Sequence, residues 1–553
     1  MARLLRYVII FGLMCHLCLA QSPPDKSLPR EPTAKSNTPD VPKSNSLADA
    51  TALFRKGDFD KAIETYKGIL REKPTSPDAW AGLIRSYLKL KDIGAASKSA
   101  EEALAAVDHP RVRTARAEVL FRQGEISQAE KEWVSVINSG YPEARAYLGL
   151  ARGRRANSMY RGEGELIRKA HDLNADDPDI KVLWLATLPQ LQQIEQLKSL
   201  LGEQTSLDEE QREKLSNLLN SAVEWRKDHS CRLVSKTRTM EAPLTPMSKY
   251  PQYMRGYRLT VAVNRSDEAL LLDTGASGIV LGREVAEHAG VTLLFRTVLG
   301  GIGGTGRTTG SIGFAESVKI GNMEFRNCPV RVTDEPFIGG AEDGLIGTDV
   351  FQQFLVDVDF PGEELKLSEL PKRPGEQHEE LGLSSAEEQE SGDGRLDEST
   401  AQDRYIAPEM QSFTRVYRFG HLLLIATSIG DVPPKLFVLD SGSASNVISL
   451  SAAEEVTKVH RRSNILMEGV TGSVRDVYTA KKAVIRFGHL AQQNQEIIGF
   501  DTTAQSENAG TEISGFLGFQ TLRMLDIKID YRDGLVNFAY DAKKWNELKR
   551  RHR

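Results

Sequence analysis

The fold of the second half of this chain is indicated by the stretch Leu270-Leu271-Leu272-Asp273-Thr274-Gly275, in which an apolar run ends in an acidic turn. A second stretch of the same kind, Phe437-Val438-Leu439-Asp440-Ser441-Gly442, follows later in the chain. An apolar run of this length that ends in a polar residue, a hydroxyl and a glycine is typical of a buried strand followed by a tight turn. The two stretches therefore predict two equivalent strand-turn units.

The features downstream of the two units also match. Each unit is followed by an apolar pair, then by a Gly-apolar-apolar-Gly strand, then by a strand with alternating acidic or basic residues. In the first copy these are Ile279-Val280, Gly344-Leu345-Ile346-Gly347 and Val356-Asp357-Val358-Asp359, and in the second Val447-Ile448, Gly515-Phe516-Leu517-Gly518 and Ile527-Lys528-Ile529-Asp530. Order, spacing and residue type agree, which predicts an internal duplication with β-rich lobes at 251–370 and 406–541.

An Asp-Thr/Ser-Gly turn after an apolar strand, with an apolar-apolar-Gly strand downstream, resembles the lobes of aspartic proteases. The short lobes are more similar to the retroviral type than to the larger pepsin type. The resemblance covers about half of the chain, residues 251–541. It implies an all-β, two-lobed, closed acid-protease barrel fold with aspartic endopeptidase activity, and it implies that Asp273 and Asp440 are the catalytic pair.

The chemistry explains why two copies are needed. Two carboxyl groups held close together share one proton, because both cannot be charged at that distance. The ionised member takes a proton from the attacking water, and the protonated member stabilises the oxyanion that forms. Gly275 and Gly442 would allow the tight turns, and Thr274 and Ser441 would hydrogen-bond across the two loops. For either aspartate alone, a turn residue that caps its own backbone is the structural alternative.

A glycine-rich segment, Leu299-Gly300-Gly301-Ile302-Gly303-Gly304-Thr305-Gly306, lies between expected strands of the first lobe. It resembles the flap that covers the substrate in retroviral-type enzymes, which implies that Gly300, Gly301, Ile302 and Gly303 bind the peptide main chain. A plain hairpin is the alternative. A phosphate-binding loop is disfavoured because no Lys-Ser/Thr pair and helix follow.

Two departures from the family pattern bear on the site. The first loop has Ala276 where the second has Ser443, which removes one possible hydroxyl donor and predicts a less acidic pair. Neither Gly347-Thr348 nor Gly518-Phe519 has the Arg or Asn follower of some family members, so the support beneath the loops is left open.

The N-terminal half has a helical period instead. Equivalent alanines, Ala62, Ala96 and Ala129, are 34 and 33 residues apart, each after a Gly-Asp, Lys-Asp or Gly-Glu pair. This is the period at which paired antiparallel helices stack. The pattern resembles tetratricopeptide repeats, and it predicts an all-α helical repeat array over 46–225 that recruits a protein partner or substrate.

The remaining segments are predicted from composition. Residues 1–20 have a basic start and a short apolar run, typical of a signal peptide, with a retained membrane anchor as the alternative. Residues 21–45, 226–250 and 371–405 are predicted to be a disordered linker, a proline-containing linker and an acidic flexible linker. Residues 542–553 are predicted to be a frayed basic tail. We expect an exported protein without a stable membrane span.

Overall composition excludes several classes of function. The chain has 553 residues, with 71 Lys and Arg against 76 Asp and Glu, so it lacks the basic excess of proteins that coat nucleic acid. Its 10 histidines are scattered and its 4 cysteines form no ligand set, so we expect neither a metal nor a cofactor. Cys231 and Cys328 could form a disulfide or remain thiols.

The sequence thus predicts an exported aspartic endopeptidase, with a protein or peptide as substrate and a helical repeat array as recruiting module. Two alternatives are kept. In one, the lobes are a decayed protease that binds extended peptides without cutting them. In the other, the lobes pair between two chains.

Overall fold

The computed structural model describes residues 5–8, 46–202 and, with gaps, 212–552. The residues outside the description are 1–4, 9–45, 203–211, 213–214, 217, 221–222, 224–230, 249–253, 301–306, 336, 338–342, 375–402, 457–458, 462–464, 470–471, 475, 482–483, 494–495 and 553. The predicted linker 21–45 lies outside the described residues, as do most of the predicted signal peptide (1–20) and of the predicted acidic linker (371–405).

The N-terminal half is an array of ten helices within residues 46–202, which are described without a gap. They are α1 (Leu47–Arg55), α2 (Phe59–Glu72), α3 (Pro77–Lys89), α4 (Ile93–Ala106), α5 (Pro110–Arg122), α6 (Ile126–Asn138), α7 (Ala144–Ala156), α8 (Tyr160–Leu173), α9 (Pro178–Leu185) and α10 (Gln190–Gly202). Their starts follow local chemistry. Ser46, Ser76 and Asp92 accept hydrogen bonds from first-turn amides, and Pro77, Pro110 and Pro178 occupy first-turn positions where no N–H is needed.

A left-handed residue recurs at the turn between the two helices of each repeat. Gly57, Lys91, Gly124 and Ser158 have φ values of 80°, 65°, 82° and 57°. Such residues commonly follow a helix because they let the chain turn back while the last carbonyls are still bonded. Their spacing of 33 or 34 residues extends the repeat to four helix pairs, the fourth of which has Ser158 where two others have glycine.

Packing between neighbouring helices depends on complementary sizes. A Cβ added to Gly82 would lie 2.2 Å from the ring of Tyr66, and one added to Gly149 would lie 2.2 Å from the ring of Trp133. Between these two aromatic–glycine pairs along the array, α4 and α5 have small residues on both sides: Ala100 and Ala115 are both buried. Large aromatic residues on the second helix of a repeat therefore pack against glycines on the first helix of the next.

The C-terminal half is built from strands. In chain order the strands are β1 (Leu5–Val8), β2 (Arg232–Leu233), β3 (Met240–Pro246), β4 (Tyr257–Val263), β5 (Ser266–Asp273), β6 (Ile279–Gly282), β7 (Thr292–Gly300), β8 (Arg307–Ile320), β9 (Met323–Thr333), β10 (Gly344–Gly347), β11 (Phe354–Asp359), β12 (Glu364–Glu369), β13 (Thr414–Arg415), β14 (Tyr417–Phe419), β15 (Leu422–Ile429), β16 (Lys435–Asp440), β17 (Val447–Ser449), β18 (His460–Arg461), β19 (Ile465–Gly469), β20 (Gly472–Val474), β21 (Tyr478–Lys481), β22 (Val484–Phe487), β23 (Leu490–Gln493), β24 (Glu496–Phe500), β25 (Gly515–Gly518), β26 (Leu525–Asp530) and β27 (Leu535–Tyr540). The helices among them are α11 (Arg283–His288), α12 (Leu450–Val456), α13 (Thr503–Ala509), α14 (Phe519–Leu522) and α15 (Ala542–Arg551), with 3-10 turns at Thr348–Phe351 and Pro408–Met410. Strand β1 pairs in parallel with β19.

The two lobes repeat one strand arrangement. In the first lobe β5 is parallel to β10, which is antiparallel to β6. In the second lobe β16 is parallel to β25, which is antiparallel to β17. The lobes are joined by antiparallel pairing of β11 with β26, which aligns Val356 with Ile529 and Val358 with Ile527. These residues are buried in a hydrophobic core that contains residues of both lobes.

The helical array packs against the second lobe and the end of the segment before it through residues at or near the turns of three successive repeats. The ammonium of Lys91 lies 2.8 Å from Glu507, the hydroxyl of Thr511 donates to the carbonyl of Phe121 at 2.8 Å, and the amide of Gly162 donates to Asp403 at 3.0 Å. Phe121 and Trp133 of the array share one hydrophobic cluster with the sheet of the second lobe. The array is therefore packed onto the second lobe rather than held only by a tether.

The structure corrects two predictions about segments. Within the predicted linker 226–250, β3 pairs with β12 and β4. Burial alternates along β3: Met240, Ala242 and Leu244 are buried and the residues between them are exposed. The prolines of the segment suggest a linker although this strand pattern is present. The predicted frayed tail 542–553 is also wrong. It forms α15, capped by Asp541, with Leu548 buried and Arg551 bonded to Glu363 at 2.9 Å.

Candidate active site

Asp273 and Asp440 occupy equivalent positions at the ends of β5 and β16. Each lies beside the second glycine of the neighbouring parallel strand, Gly347 for Asp273 and Gly518 for Asp440. The central position of both strands in their sheets leaves Asp273 fully buried and Asp440 only 2% exposed. The amide of Gly442 donates to both carboxyl groups, to Asp273 at 3.2 Å and to Asp440 at 3.0 Å, so the fold brings the predicted pair together within one chain.

Hydroxyl groups hold the two loops together. Ser441 donates from its amide to the hydroxyl of Thr274 at 2.9 Å, and Thr274 donates from its amide to the hydroxyl of Ser441 at 3.0 Å. Each hydroxyl then donates to the opposite strand, Thr274 to the carbonyl of Leu439 at 2.9 Å and Ser441 to that of Leu272 at 3.0 Å. These four buried bonds fix the distance between the loops, since leaving any of the groups unpaired would be costly.

Backbone amides point at the carboxyl groups. Asp273 accepts from the amides of Gly275 at 2.8 Å and Gly442 at 3.2 Å, and Asp440 accepts from those of Gly442 and Ser443, both at 3.0 Å. Both glycines are required by space. A Cβ at Gly442 would lie 2.2 Å from an oxygen of Asp273, and a Cβ at Gly275 would lie 2.8 Å from the carboxyl carbon of Asp440.

Burial makes the pair unusually basic for carboxylic acids. It raises the pKa of Asp273 from 3.8 to about 6, although the amide of Gly275 acts in the opposite direction. Burial, and then the neighbouring charge of Asp273, raise the pKa of Asp440 well above its ordinary value. Two groups this close lose their protons in separate steps. Near neutral pH, therefore, the two carboxyl groups hold one proton between them.

A second carboxylate supports the Asp273 loop (residues 273–278). Asp349, in the turn after Gly347, accepts from the amide of Gly278 at 2.8 Å and from the hydroxyl of Ser277 at 3.0 Å. Burial raises the pKa of Asp349, and the hydrogen bond from Gly278 opposes that rise. The support that the sequence left open thus comes from the second residue after Gly347. In the second lobe Asn446 supports the loop after Asp440. Its side-chain oxygen accepts a hydrogen bond from the amide of Gly518 at 2.9 Å.

One expectation about the loops is wrong in detail. The hydroxyl of Ser443 donates to the carbonyl of Ser445 at 2.8 Å, and it is the amide of Ser443 that reaches Asp440. The difference between Ala276 and Ser443 therefore does not account for the basicity of the pair, which follows from burial. His421, which no motif in the sequence singles out, lies 3.2 Å from the carbonyl of Gly275 through its Nε2 atom.

The predicted flap is described only in part. Strands β7 and β8 form a hairpin whose last described pair is Gly300 opposite Arg307. Gly301, Ile302 and Gly303 lie outside the described residues. Leu299, just before the tip, is buried in a small cluster with Leu271, Ala276, Val280 and Leu345. This cluster, which we call the first-lobe wall, connects the hairpin to the Asp273 loop.

Three further observations concern the predicted absences and the cysteines. Cys231 and Cys328 form a disulfide, which settles the alternative left open by the sequence. The described residues include no group of three or more His, Cys, Asp or Glu side chains arranged to hold a metal ion. Among the helices that the structure describes, none is long and apolar enough to cross a membrane.

Comparisons with known proteins find a match in each half of the chain. Residues 259–350 match the family model for an aspartyl protease, and residues 53–119 match the model for a tetratricopeptide repeat. The chain is thus a multidomain protein in which a helical array with tetratricopeptide repeats is followed by a strand-rich region that resembles an aspartic protease. Among curated proteins, none matches the sequence.

Similar solved structures exist for each half. An aspartic proteinase from Irpex lacteus is 12% identical, with a TM-score of 0.32, and the match covers 55% of this chain and 98% of that one. A thermophilic tetratricopeptide protein of Thermus thermophilus is 18% identical, with a TM-score of 0.26 and coverage of 32% and 97%. The pilF protein of Pseudomonas aeruginosa is 16% identical, with a TM-score of 0.21 and coverage of 32% and 74%.

Proposed function

We propose that this chain is an aspartic endopeptidase in which Asp273 and Asp440 act together on one water molecule. The observation that carries the proposal is the meeting of two buried carboxyl groups from duplicated strands, each supplied with backbone amide donors. A turn aspartate that merely caps its own backbone has no need of a second carboxyl group beside it. Isolated carboxyl groups also avoid burial, because the charged form loses its hydration.

The single proton held by the pair divides the work between the two carboxyl groups. The ionised member accepts a proton from the water as it attacks the peptide carbonyl, and the protonated member donates a hydrogen bond to the oxygen on which charge develops. Breakdown of the tetrahedral intermediate passes a proton to the leaving nitrogen, and one shared proton remains on the pair. No covalent intermediate is formed.

The hairpin of β7 and β8 favours an extended peptide as substrate. A strand-like peptide between the hairpin and the Asp273 loop would bond through its main chain. We therefore propose a protein or peptide substrate, and Gly300, Gly301, Ile302 and Gly303 as the flap.

The helical array would recruit a protein partner or substrate. Ion pairs fix the position of successive repeats: Arg85 lies 3.0 Å from Glu118, and Arg145 lies 2.7 Å from Asp177. A rigid stack of repeats offers an extended surface beside the protease lobes.

We also propose that the protein is exported, with removal of residues 1–20 as the route and a retained N-terminal anchor as the alternative. The disulfide between Cys231 and Cys328 supports this proposal. Disulfides persist in oxidising compartments and are rare in reducing ones.

The decisive experiment measures cleavage of a denatured protein substrate by the wild-type chain and by Asp440→Asn. The amide keeps the size of the side chain but cannot hold the shared proton, so we expect activity to fall by about 10³-fold. Asp431→Asn, an exposed position in the turn before β16, is the matched control and should leave the rate unchanged.

Retained cleavage by Asp440→Asn, in a protein with an unchanged melting temperature, would show that the pair is not catalytic. Peptide binding by the wild type without any cleavage between acid and neutral pH would instead support the decayed, binding-only alternative.

A further inference from the structure

Arg418, on β14 of the second lobe, contacts three parts of the molecule at once. Its guanidinium donates to the hydroxyl of Tyr160 in the helical array at 3.3 Å, to the carbonyl of Tyr531 in the second lobe at 2.9 Å, and to Gln352 in the first lobe at 2.7 Å. Its Nε atom donates to the carbonyl of Gly420 at 2.9 Å, which holds the side chain in place. A planar group with several fixed donors suits such a junction.

The contacts continue from Arg418 towards the active site. The guanidinium lies over the ring of Tyr531, 5.5 Å from its centre, and the hydroxyl of Tyr531 is 2.5 Å from that of Thr348. Tyr531 and Thr348 are fully buried. Thr348 begins the 3-10 turn Thr348–Phe351, and Gln352 follows that turn directly. Arg418 thus reaches both ends of one short turn.

That turn carries Asp349, the carboxylate that holds the Asp273 loop through Ser277 and Gly278. Every step from Tyr160 to the loop is therefore a hydrogen bond, a ring contact or a covalent neighbour. At the place that corresponds to the contact between Tyr531 and Thr348, the second lobe has a ring contact instead. There Phe360, the counterpart of Tyr531, packs against Phe519 at 5.8 Å between ring centres.

We propose that Arg418 is a positioning residue that couples the helical array to the Asp273 loop, so that the seating of the repeats on the second lobe sets the geometry of the catalytic pair. The proposal rests on the proposed peptidase function. It gives the array a second task besides recruitment, because a partner that shifts α8 would act on catalysis through Tyr160 and Arg418. A displacement of about 1 Å in a catalytic group can change a rate by about 10²-fold.

The test compares two hydroxyl deletions at the same interface in the full chain. Tyr160→Phe removes the contact with Arg418. Ser127→Ala removes the 3.0 Å hydroxyl contact with Tyr417, the residue beside Arg418, and is the matched control. We expect Tyr160→Phe to lower kcat by about fivefold with KM unchanged, and Arg418→Gln to lower it by about 30-fold. Ser127→Ala should leave both constants unchanged.

Amide hydrogen exchange of residues 273–278 and 348–352 gives a readout that does not need activity. Exchange in both segments should rise in Tyr160→Phe and in Tyr531→Phe, and should match the wild type in Ser127→Ala. Two results would overturn the proposal: exchange in Tyr160→Phe equal to that in Ser127→Ala, or kcat unchanged in both Tyr160→Phe and Arg418→Gln. If Arg418→Gln does not fold, the tyrosine variants decide.

The two proposals fail in different ways. A wild-type chain that cleaves no substrate contradicts the proposed function, and the exchange data alone then decide the coupling. A wild-type chain that cleaves normally, with no response to Tyr160→Phe in rate or exchange, contradicts only the coupling.

Discussion

The two lobes have the same loops but different surroundings. In the first lobe, Leu271 of the aspartate-bearing strand lies opposite Arg258, and in the second, Val438 lies opposite Leu424. The face that is partly polar in the first lobe is apolar and buried in the second, where the helical array covers it. Duplication has therefore kept the geometry of the pair, while the outer face of one copy has changed to receive the repeats.

The same contrast appears beneath the loops. Tyr531 of the second lobe supports the first through a buried hydroxyl contact with Thr348, whereas Phe360 of the first lobe supports the second through ring contacts. Burial raises the pKa of Tyr531 above its ordinary value, which keeps the phenol neutral and able to donate. The residue after the final Asp of each copy thus supports the other lobe in a different way, Tyr531 through a hydroxyl contact and Phe360 through ring packing.

The largest effect should come from the two loop glycines, where the lobes should behave alike. Gly442→Ala places a methyl group 2.2 Å from an oxygen of Asp273, and Gly275→Ala places one 2.8 Å from the carboxyl carbon of Asp440. We expect either change to lower kcat/KM by about 10²-fold or more, because the pair must separate.

Gly202→Ala is the control, since nothing lies within 4 Å of its added Cβ. A loop variant as active as this control would show that the carboxyl groups need not be so close, which would weaken the catalytic assignment for both lobes.

The next largest effect, on the free energy of unfolding, should differ between the face of the second lobe that the helical array covers and the corresponding face of the first lobe. Leu436, 5% exposed, lies beside Gly124 of the array, and its counterpart in the first lobe is the half-buried Ala269. Leu436→Ala should lower the free energy of unfolding by about 2–4 kcal/mol, because it leaves a cavity under the helices.

Ala269→Leu gives the first lobe the residue that the second lobe has at Leu436. It should change the free energy of unfolding by no more than about 0.5 kcal/mol. Urea unfolding of both variants measures the difference. Equal losses would mean that the face covered by the array is no more sensitive than the open one.

The pH dependence of cleavage reports the two proton losses of the pair. Activity needs one ionised carboxyl group, and burial raises the pKa of Asp273 to about 6, so the rate should rise with pH through about 6. Below that value it should fall by about tenfold for each pH unit. At higher pH the rate should fall again when Asp440, whose pKa is raised further, loses its proton.

A profile of kcat/KM against pH measures both limbs. An optimum near pH 3, with no loss of activity down to that pH, would contradict the raised pKa of the first carboxyl group to ionise.

The smallest effect should come from making the two loops identical. Thr274→Ser keeps the hydroxyl that bonds to Leu439 and loses one buried methyl group. Stability should fall by about 1 kcal/mol, and the rate should stay within about threefold. Thr274→Val, which keeps the shape but removes the hydroxyl, should cost more in a thermal melt, about 1–3 kcal/mol. The reverse order would show that shape matters more than hydrogen bonding between the loops.

Features repeated in the sequence could be predicted without a structure. The paired loops at Asp273 and Asp440 appear twice with matched surroundings, and the alanine spacing of the helices links three successive repeats. Repetition makes a local pattern informative, because chance matches do not recur in the same order.

Features that depend on packing between segments could not be predicted in this way. Asp349 and Arg418 reach their partners only through the tertiary fold, and nothing in their own neighbourhood selects them. The array interface did leave a signal, since β15 begins Leu422-Leu423-Leu424-Ile425, apolar on both faces, whereas the first-lobe strand β4 is interrupted by Arg258. Comparison of the two copies, rather than either alone, would have located it.

The order of segments along the chain has a consequence for synthesis on the ribosome. Chains fold from the N-terminus as they emerge. The helices that cover Leu422, Leu424 and Leu436 precede the final strands of the second lobe by several hundred residues, and they are therefore synthesised first. Each of these strands is therefore made after the helices that cover it, so its apolar face can be buried as soon as the second lobe forms.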